Sequence, residues 1–346
     1  MLERVAVASQ SCPPFPLFAP VQVHSETGNI RASEHMLTRA RGPCYGQPSK
    51  DIVGGAGMIS HWILAARPKT TLLASLAPVA IGTALAVHHG KFHATAMFAA
   101  LIGAISIQIG TNFCNDYCDF FQGADTEARK GPTRAVQAGL ISPNAMLLAT
   151  GLMFAITCAA TWYLYDRAGW PFLLIGTLSI LFGVLYTAGR YSLAYLGLGD
   201  PFVLIFFRPV AVAGTYYVQA LEVGWPIIIA GLAPGFLAVG LLVVNNLRDI
   251  DEDRVANKRT LAVRFGVTFS RVQYTLCIIA AALVPVVLIL SGFGRGVAIA
   301  TLVLAPGLFV TMKVWRNDGA KLRPCLGMTA GLLLLYTVLF CVGLAI

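Results

Sequence analysis

Nine apolar stretches, at roughly 71–88, 94–113, 145–165, 169–188, 201–219, 225–246, 273–291, 294–312 and 326–346, follow one another from Thr71 to the carboxyl terminus. Each is close to the ~20 residues a helix needs to cross a ~30 Å hydrocarbon core. In lipid a backbone must satisfy its own hydrogen bonds, which for segments of this length means α-helices. The spacing therefore predicts an all-α membrane protein with nine transmembrane helices. A soluble fold is excluded by composition: 57% of the residues are hydrophobic and 12% charged, about half the charged fraction of a soluble chain. Mean hydropathy is +0.71.

A net charge of +9 raises the question of nucleic acid. The basic residues, however, lie in short clusters between apolar runs rather than along one stripe, a placement that sets membrane topology. Alternate connections hold sixteen Lys and Arg on one side (Arg67, Lys69, Arg129, Lys130, Arg134, Arg190, Arg248, Arg254, Lys258, Arg259, Arg264, Arg271, Lys313, Arg316, Lys321, Arg323) and three on the other (Lys91, Arg167, Arg295). By the positive-inside rule the amino terminus and the rich side are cytoplasmic, and one helix more or fewer would scramble the bias. The eight cysteines are scattered without zinc or haem spacing, which argues against a disulfide framework.

Residues 1–57 differ from the rest, with six of the eighteen prolines and no run of spanning length. They read as a disordered tail or a mis-assigned start, and 58–346 as the transmembrane domain. As a plastid transit peptide the tail carries too many acids, so the expected location is the cytoplasmic (inner) membrane of a bacterium, ahead of a plastid membrane.

Acidic residues are scarce, sixteen in all, and they concentrate in two segments. One follows the second stretch, Asn112-Phe-Cys-Asn115-Asp116-Tyr-Cys-Asp119, and continues to Asp125 and Glu127; the other follows the sixth, Asn245-Asn246-Leu-Arg248-Asp249-Ile-Asp251-Glu252-Asp253. If the helices continue past the membrane surface, Asn115 and Asp119 share a face, and Asn245, Asp249 and Asp253 form a stripe at i, i+4, i+8. Amide and carboxylate oxygens suit Mg²⁺, which takes one or two carboxylates and completes its shell with water and substrate phosphate. Lys130, Arg134, Arg248, Lys258 and Arg259 stand nearby as further counter-charge for a diphosphate. The plainer reading makes both segments solvated loops. A paired occurrence at the same end of alternate spans favours a site.

An apolar cavity with an acidic mouth suits a lipid diphosphate, whose tail stays among helices while its head meets Mg²⁺. Metal-assisted loss of diphosphate leaves an allylic cation that must be kept from water until an electron-rich acceptor attacks. That chemistry is prenyl transfer.

At these segments the sequence resembles the UbiA superfamily of intramembrane prenyltransferases, and more closely its 1,4-dihydroxy-2-naphthoate polyprenyltransferase branch. The resemblance runs from about Trp62 to the carboxyl terminus. It is carried by Arg67-Pro68-Lys69-Thr70, Asn115-Asp116-Tyr117 with Asp119 and Asp125, Gly131-Pro132-Thr133-Arg134, Leu198-Gly199-Asp200, Gly214-Thr-Tyr-Tyr-Val-Gln219, and Asn245-Asn246-Leu-Arg248-Asp249 through Lys258-Arg259-Thr260. It implies nine helices around a central cavity, Mg²⁺ dependence, and a metal–diphosphate held by Asn115, Asp119, Asp125, Asn245, Asp249 and Asp253. It further implies transfer of a polyprenyl group from its diphosphate to 1,4-dihydroxy-2-naphthoate with loss of CO₂, giving a demethylmenaquinone for menaquinone biosynthesis. Asp119, Asp249, Lys130 and Arg134 become the expected catalytic set, and Asn115, Asp116, Asn245, Asn246, Arg248, Lys258 and Arg259 the substrate contacts. Asp200 is expected near the acceptor or as a structural cap, and Tyr186 and Arg190 as substrate contacts.

The branch usually has Gly before Pro in the fifth span, where this chain has Arg208-Pro209. An arginine about two turns into a span is costly unless it faces a wet cavity or snorkels. Other members of the superfamily use 4-hydroxybenzoate, homogentisate or haem as acceptor, or a phytyl donor. A secondary transporter would also show paired polar segments, but near the midplane on interrupted helices, whereas both segments here follow their spans. Cys114 and Cys118 at i, i+4, and His88, His89 and His93, invite metal readings; the first pair lacks a third ligand, and the histidines read as interfacial polar residues.

Overall fold

The computed structural model describes residues 55–122, 134–185, 197, 199–204, 208–255 and 258–346. Every regular element among them is helical: α1 (Gly55–Ala66), α2 (Pro68–His88), α3 (Ala94–Gln122), α4 (Pro143–Ala168), α5 (Pro171–Leu185), a short α6 (Gly199–Phe202), α7 (Pro209–Ala220), α8 (Trp225–Ala230), α9 (Leu232–Arg248), α10 (Ile250–Val255), α11 (Leu261–Leu290), a 3-10 helix at Arg295–Val303 leading into α12 (Leu304–Arg316), and α13 (Arg323–Ala345). Starts and stops follow local chemistry. Pro68, Pro143 and Pro209 open their helices, where the missing N–H has no intrahelical partner to lose. Ser142 caps α4 by accepting the N–H of Ala145 at 3.3 Å. Thr260 does the same for α11 through Val263 at 3.3 Å.

Six segments are long and apolar enough to cross a membrane: Ala94–Phe121, Pro143–Ala168, Trp225–Arg248, Leu261–Leu290, Arg295–Arg316 and Gly319–Ala345. The other three expected spans coincide with shorter helices, α2, α5 and α7. The apolar part of α2 is only Leu73–His88, because Lys69 and two threonines occupy its first turn, and α5 and α7 adjoin segments outside the described residues. Six spans, rather than nine, therefore stand on length and composition among the described residues. The tail expected over 1–57 lies outside them up to residue 54, and α1 begins inside its last residues at Gly55.

Burial separates a central helix from peripheral ones. In Trp225–Arg248 67% of the apolar window is buried, against 17% in each of the spans of α3 and α4. The largest core cluster joins Ile81 and Leu85 of α2, Leu237 of α9, Ile278 and Leu288 of α11, and Tyr336 and Phe340 of α13. Lipid is as apolar as leucine, so such helices associate by close packing rather than by the hydrophobic effect, and small residues mark their contacts. A Cβ on Gly82 of α2 would stand 2.6 Å from the Val212 carbonyl of α7, and one on Gly343 of α13 would stand 2.5 Å from the Gly296 carbonyl. Only glycine admits those approaches.

Candidate active site

The first acidic segment closes α3. Asp116 is buried, and its two oxygens accept the backbone N–H groups of Ala135 at 2.9 Å and Val136 at 3.4 Å. It thus fastens the turn at 134–139 onto α3. That turn in turn presents Arg134, whose guanidinium pairs with Asp119. Asn115, one helical turn before Asp119, keeps its Oδ1 buried with no hydrogen-bond partner among the described residues. An enclosed acceptor left without a donor is costly. Asn112, a turn deeper, donates to Thr71 Oγ1 at 2.8 Å and to the Ala66 carbonyl at 3.1 Å, tying α3 to the α1–α2 junction.

The second segment closes α9. Arg248 donates through Nε to Asp249 Oδ1 at 2.6 Å, through Nη2 to Asp249 Oδ2, and to Asn245 Oδ1 at 2.9 Å. Although α9 gives way to α10 at Asp249, the N–H of Asp249 still reaches the Asn245 carbonyl at 3.1 Å and that of Asp253 reaches Asp249 at 2.8 Å. The i, i+4, i+8 register expected for Asn245, Asp249 and Asp253 is therefore kept in the backbone. Asp253 is buried beside Lys258, with Nζ 3.7 Å from Oδ1. Burial pushes its carboxyl up to about 6, with Lys258 pulling the other way. Asn246 is half-buried and Arg259 exposed.

A cavity of about 340 Å³ is walled by α2, α3, α4, α5 and α7. Its lining is mostly apolar, with Ala104, Gln108 and Thr111 contributed by α3. Those three and Asn115 and Asp119 succeed one another at three- and four-residue steps, so they share one face of α3. About 12 Å of helix separates Thr111 from Asp119 at 1.5 Å per residue. The stripe runs from the cavity lining at Thr111 to the acidic end of α3. The same spacing is present in the sequence, where the acidic end of the stripe stands out and Gln108 and Thr111, set among apolar residues, do not.

Asp125, Lys130, Tyr186 and Arg190 lie outside the described residues. Asp200 sits buried against α11, with Gln273 Nε2 donating to its Oδ2 at 3.1 Å, a structural tie between α6 and α11. Its Oδ1 is buried without a hydrogen-bond partner among the described residues. Arg208 is buried at the N-cap of α7, and Pro209 takes the first helical position, where its missing N–H costs no intrahelical bond. Cys114 and Cys118 stand 3.9 Å apart. His88 Nδ1 lies 2.9 Å from the Leu344 carbonyl, His89 Nδ1 2.9 Å from the Leu85 carbonyl, and His93 Nδ1 within 3.3 Å of the Ala96 N–H.

No three His, Cys, Asp or Glu side chains are grouped to hold a metal among the described residues. Mg²⁺ does not need such a group, since it takes one or two carboxylates and fills its shell with water and substrate phosphate. The oxygens present fit on that measure. Asn115 offers an unsatisfied acceptor one turn from Asp119, and both acidic segments are all-oxygen donor sets of the hard kind.

These features define a helical membrane protein with an apolar cavity and, on the same face of α3, an acidic end. Residues 75–333 match the UbiA prenyltransferase family, and the chain belongs to that family. It is 35% identical over 303 residues to the 1,4-dihydroxy-2-naphthoate octaprenyltransferase of Haemophilus influenzae, covering 83% of this chain and 96% of that protein. It is 36% identical over 296 residues to the enzyme of the same name from Escherichia coli, covering 82% and 94%. In fold it is similar to a UbiA homolog from Archaeoglobus fulgidus solved with DMAPP and Mg²⁺, at a TM-score of 0.55 and 17% identity, over 81% of this chain and 98% of that one.

Proposed function

We propose that this protein transfers a polyprenyl group from a prenyl diphosphate to 1,4-dihydroxy-2-naphthoate, releasing diphosphate and CO₂, in the cytoplasmic membrane of a bacterium. The observation that carries the proposal is the continuous face of α3, from a chamber large enough for isoprenoid units to Asn115 and Asp119. The names of the relatives, matched over nearly their whole length, support the acceptor.

The chain's own residues account for each requirement. The chamber takes the isoprenoid tail and excludes water from the allylic carbon, where a cation would otherwise be captured. Asn115, Asp119, Asn245, Asp249 and Asp253, joined by Asp125, would hold the metal–diphosphate. Mg²⁺, when bound, neutralises the diphosphate and favours its departure. Arg134 and Arg248 already neutralise Asp119 and Asp249, and each can turn its guanidinium from carboxylate to phosphate, for which the fork geometry is equally suited. Lys130, Lys258 and Arg259 add counter-charge, and Asp116 positions the turn that carries Arg134. Tyr186, Arg190 and Asp200 are assigned to the acceptor side. In the reaction the allylic C–O bond breaks with its electron pair leaving on diphosphate. The ring carbon bearing the carboxylate forms the new C–C bond, and the pair from the departing CO₂ restores the aromatic ring, giving the reduced form of a demethylmenaquinone.

An acceptor series tests the assignment. Purified full-length protein with a prenyl diphosphate and Mg²⁺ is expected to release CO₂ and form a prenylated naphthohydroquinone from 1,4-dihydroxy-2-naphthoate, with 4-hydroxybenzoate and homogentisate at least a hundredfold poorer in kcat/KM. Equal or better use of either would move the chain to another acceptor. For orientation, a cysteine placed at Ala128 should be labelled from the cytoplasm and one at Gly90 from the opposite side. The reverse pattern would invert the topology.

A further inference from the structure

Pro78 lies inside α2 and has no N–H to give to the carbonyl four residues back, that of Ala74. A helix carbonyl turned away from water costs free energy unless a neighbour supplies a donor. The donor here is Arg208, which reaches across from the start of α7 to place Nη1 2.9 Å from the Ala74 oxygen. The arginine is buried and has no ion pair among the described residues, so this bond is the polar contact that its position provides. Ala74 and Pro78 line the chamber from one side, and Val210 and Ala211, which follow Arg208, line it from another. Around the contact the two backbones are already close. A Cβ on Gly82 would be 2.6 Å from the Val212 carbonyl, and one on Gly231 of the central span would be 2.5 Å from the Pro209 Cα.

We infer that Arg208 is a positioning residue that replaces the hydrogen bond missing at Pro78 and thereby fixes the α2 and α7 walls of the isoprenoid chamber. The inference rests on the chamber holding the donor's tail. Part of the cost expected of a buried arginine is offset locally by a carbonyl that proline leaves open, and this makes the two residues a coupled pair. With Arg208 removed, the α2 wall loses its tie to α7, and the tail meets a looser chamber. With proline removed as well, the residue at 78 supplies the N–H from within the helix, and Arg208 is no longer needed there.

The test is a double-mutant cycle on the full-length protein, reading KM and kcat for a polyprenyl diphosphate together with the melting temperature in detergent. Arg208→Met is expected to raise the donor KM about tenfold, the factor that corresponds to one ordinary net hydrogen bond, with kcat changed less than about twofold. Arg208→Lys, which keeps a donor, should stay within about threefold of the parent, and Pro78→Ala in the Arg208→Met background should return the donor KM and the melting temperature close to those of Pro78→Ala alone. An unchanged KM in Arg208→Met, or a loss that Pro78→Ala does not recover, overturns the coupling. If Arg208→Met does not fold, the double variant must fold, and its failure to do so also overturns it. Should the parent protein turn over no naphthoate acceptor, the proposed function falls, while recovery of the melting temperature still reports on the pair.

Discussion

The two acidic segments look alike in sequence and are built differently. At the end of α3 the counter-charge is brought from a distance: Arg134, fifteen residues beyond Asp119, is delivered by a turn that Asp116 fastens to the helix. At the end of α9 it is local, with Arg248 bridging Asn245 and Asp249 from between them. The host helices differ too, α9 belonging to the most buried span and α3 to a peripheral one. One acidic segment is therefore held by tertiary structure and the other by its own helix. This difference teaches that adjacent carboxylates need not share a role. Asp116 spends both oxygens on backbone amides, while Asp119, a turn away, is left to an ion pair that a ligand can exchange.

Variants that separate those roles give the largest effects. Asp119→Asn and Asp249→Asn are each expected to lower kcat by a thousandfold or more, since each carboxylate would hold the cation that neutralises the departing diphosphate, with melting temperatures within a few degrees of the parent. Near-parental turnover in both would remove the metal–diphosphate assignment. Asp116→Ala should do the opposite in kind. It strands two buried N–H groups at about 1–3 kcal/mol each, so the melting temperature should fall by several degrees. A melting temperature unchanged in that variant would show that the turn is held by something else.

A smaller effect tests whether local and distant counter-charges are equivalent. Arg134→Met is expected to cost more turnover than Arg248→Met, because the second segment keeps Lys258 beside Asp253 as counter-charge, whereas Arg134 is the cation that the turn brings to Asp119. Equal losses would make the architectural contrast irrelevant to catalysis. The smallest effect concerns pH. In the metal-free protein burial pushes the Asp253 carboxyl up to about 6, so its burial disfavours folding above that pH and the penalty is relieved as pH falls towards 4. Activity should run the other way, falling below about pH 6 as the carboxylate is protonated, and Asp253→Asn should remove that limb from the kcat/KM profile. Its persistence in the variant would assign the limb to another group.

Much of this was legible in the sequence, for physical reasons that differ by residue. Apolar runs of spanning length fix a helical membrane fold whatever their partners, and the i, i+4 spacing put Asn115 with Asp119 and Asn245 with Asp249 before any packing was known. Asp116 was expected at the substrate because it sits among ligands, yet its direction is set by the turn at Ala135, a contact no local spacing encodes. Arg208 is the clearest case. Its cost depends on Pro78, which lies 130 positions earlier in the chain, and only the fold brings the two together. Span length was read less well where helices begin in polar residues, as α2 does.

The central claim is that the two segments act on one metal–diphosphate. Calorimetric titration of the purified protein with a non-reactive geranylgeranyl thiodiphosphate, with Mg²⁺ and then with EDTA, tests it most directly in the parent, Asp119→Asn and Asp249→Asn proteins. Binding that requires Mg²⁺ and is lost in either variant is the predicted result. Binding that survives EDTA, or that persists in one variant at parental affinity, would contradict it.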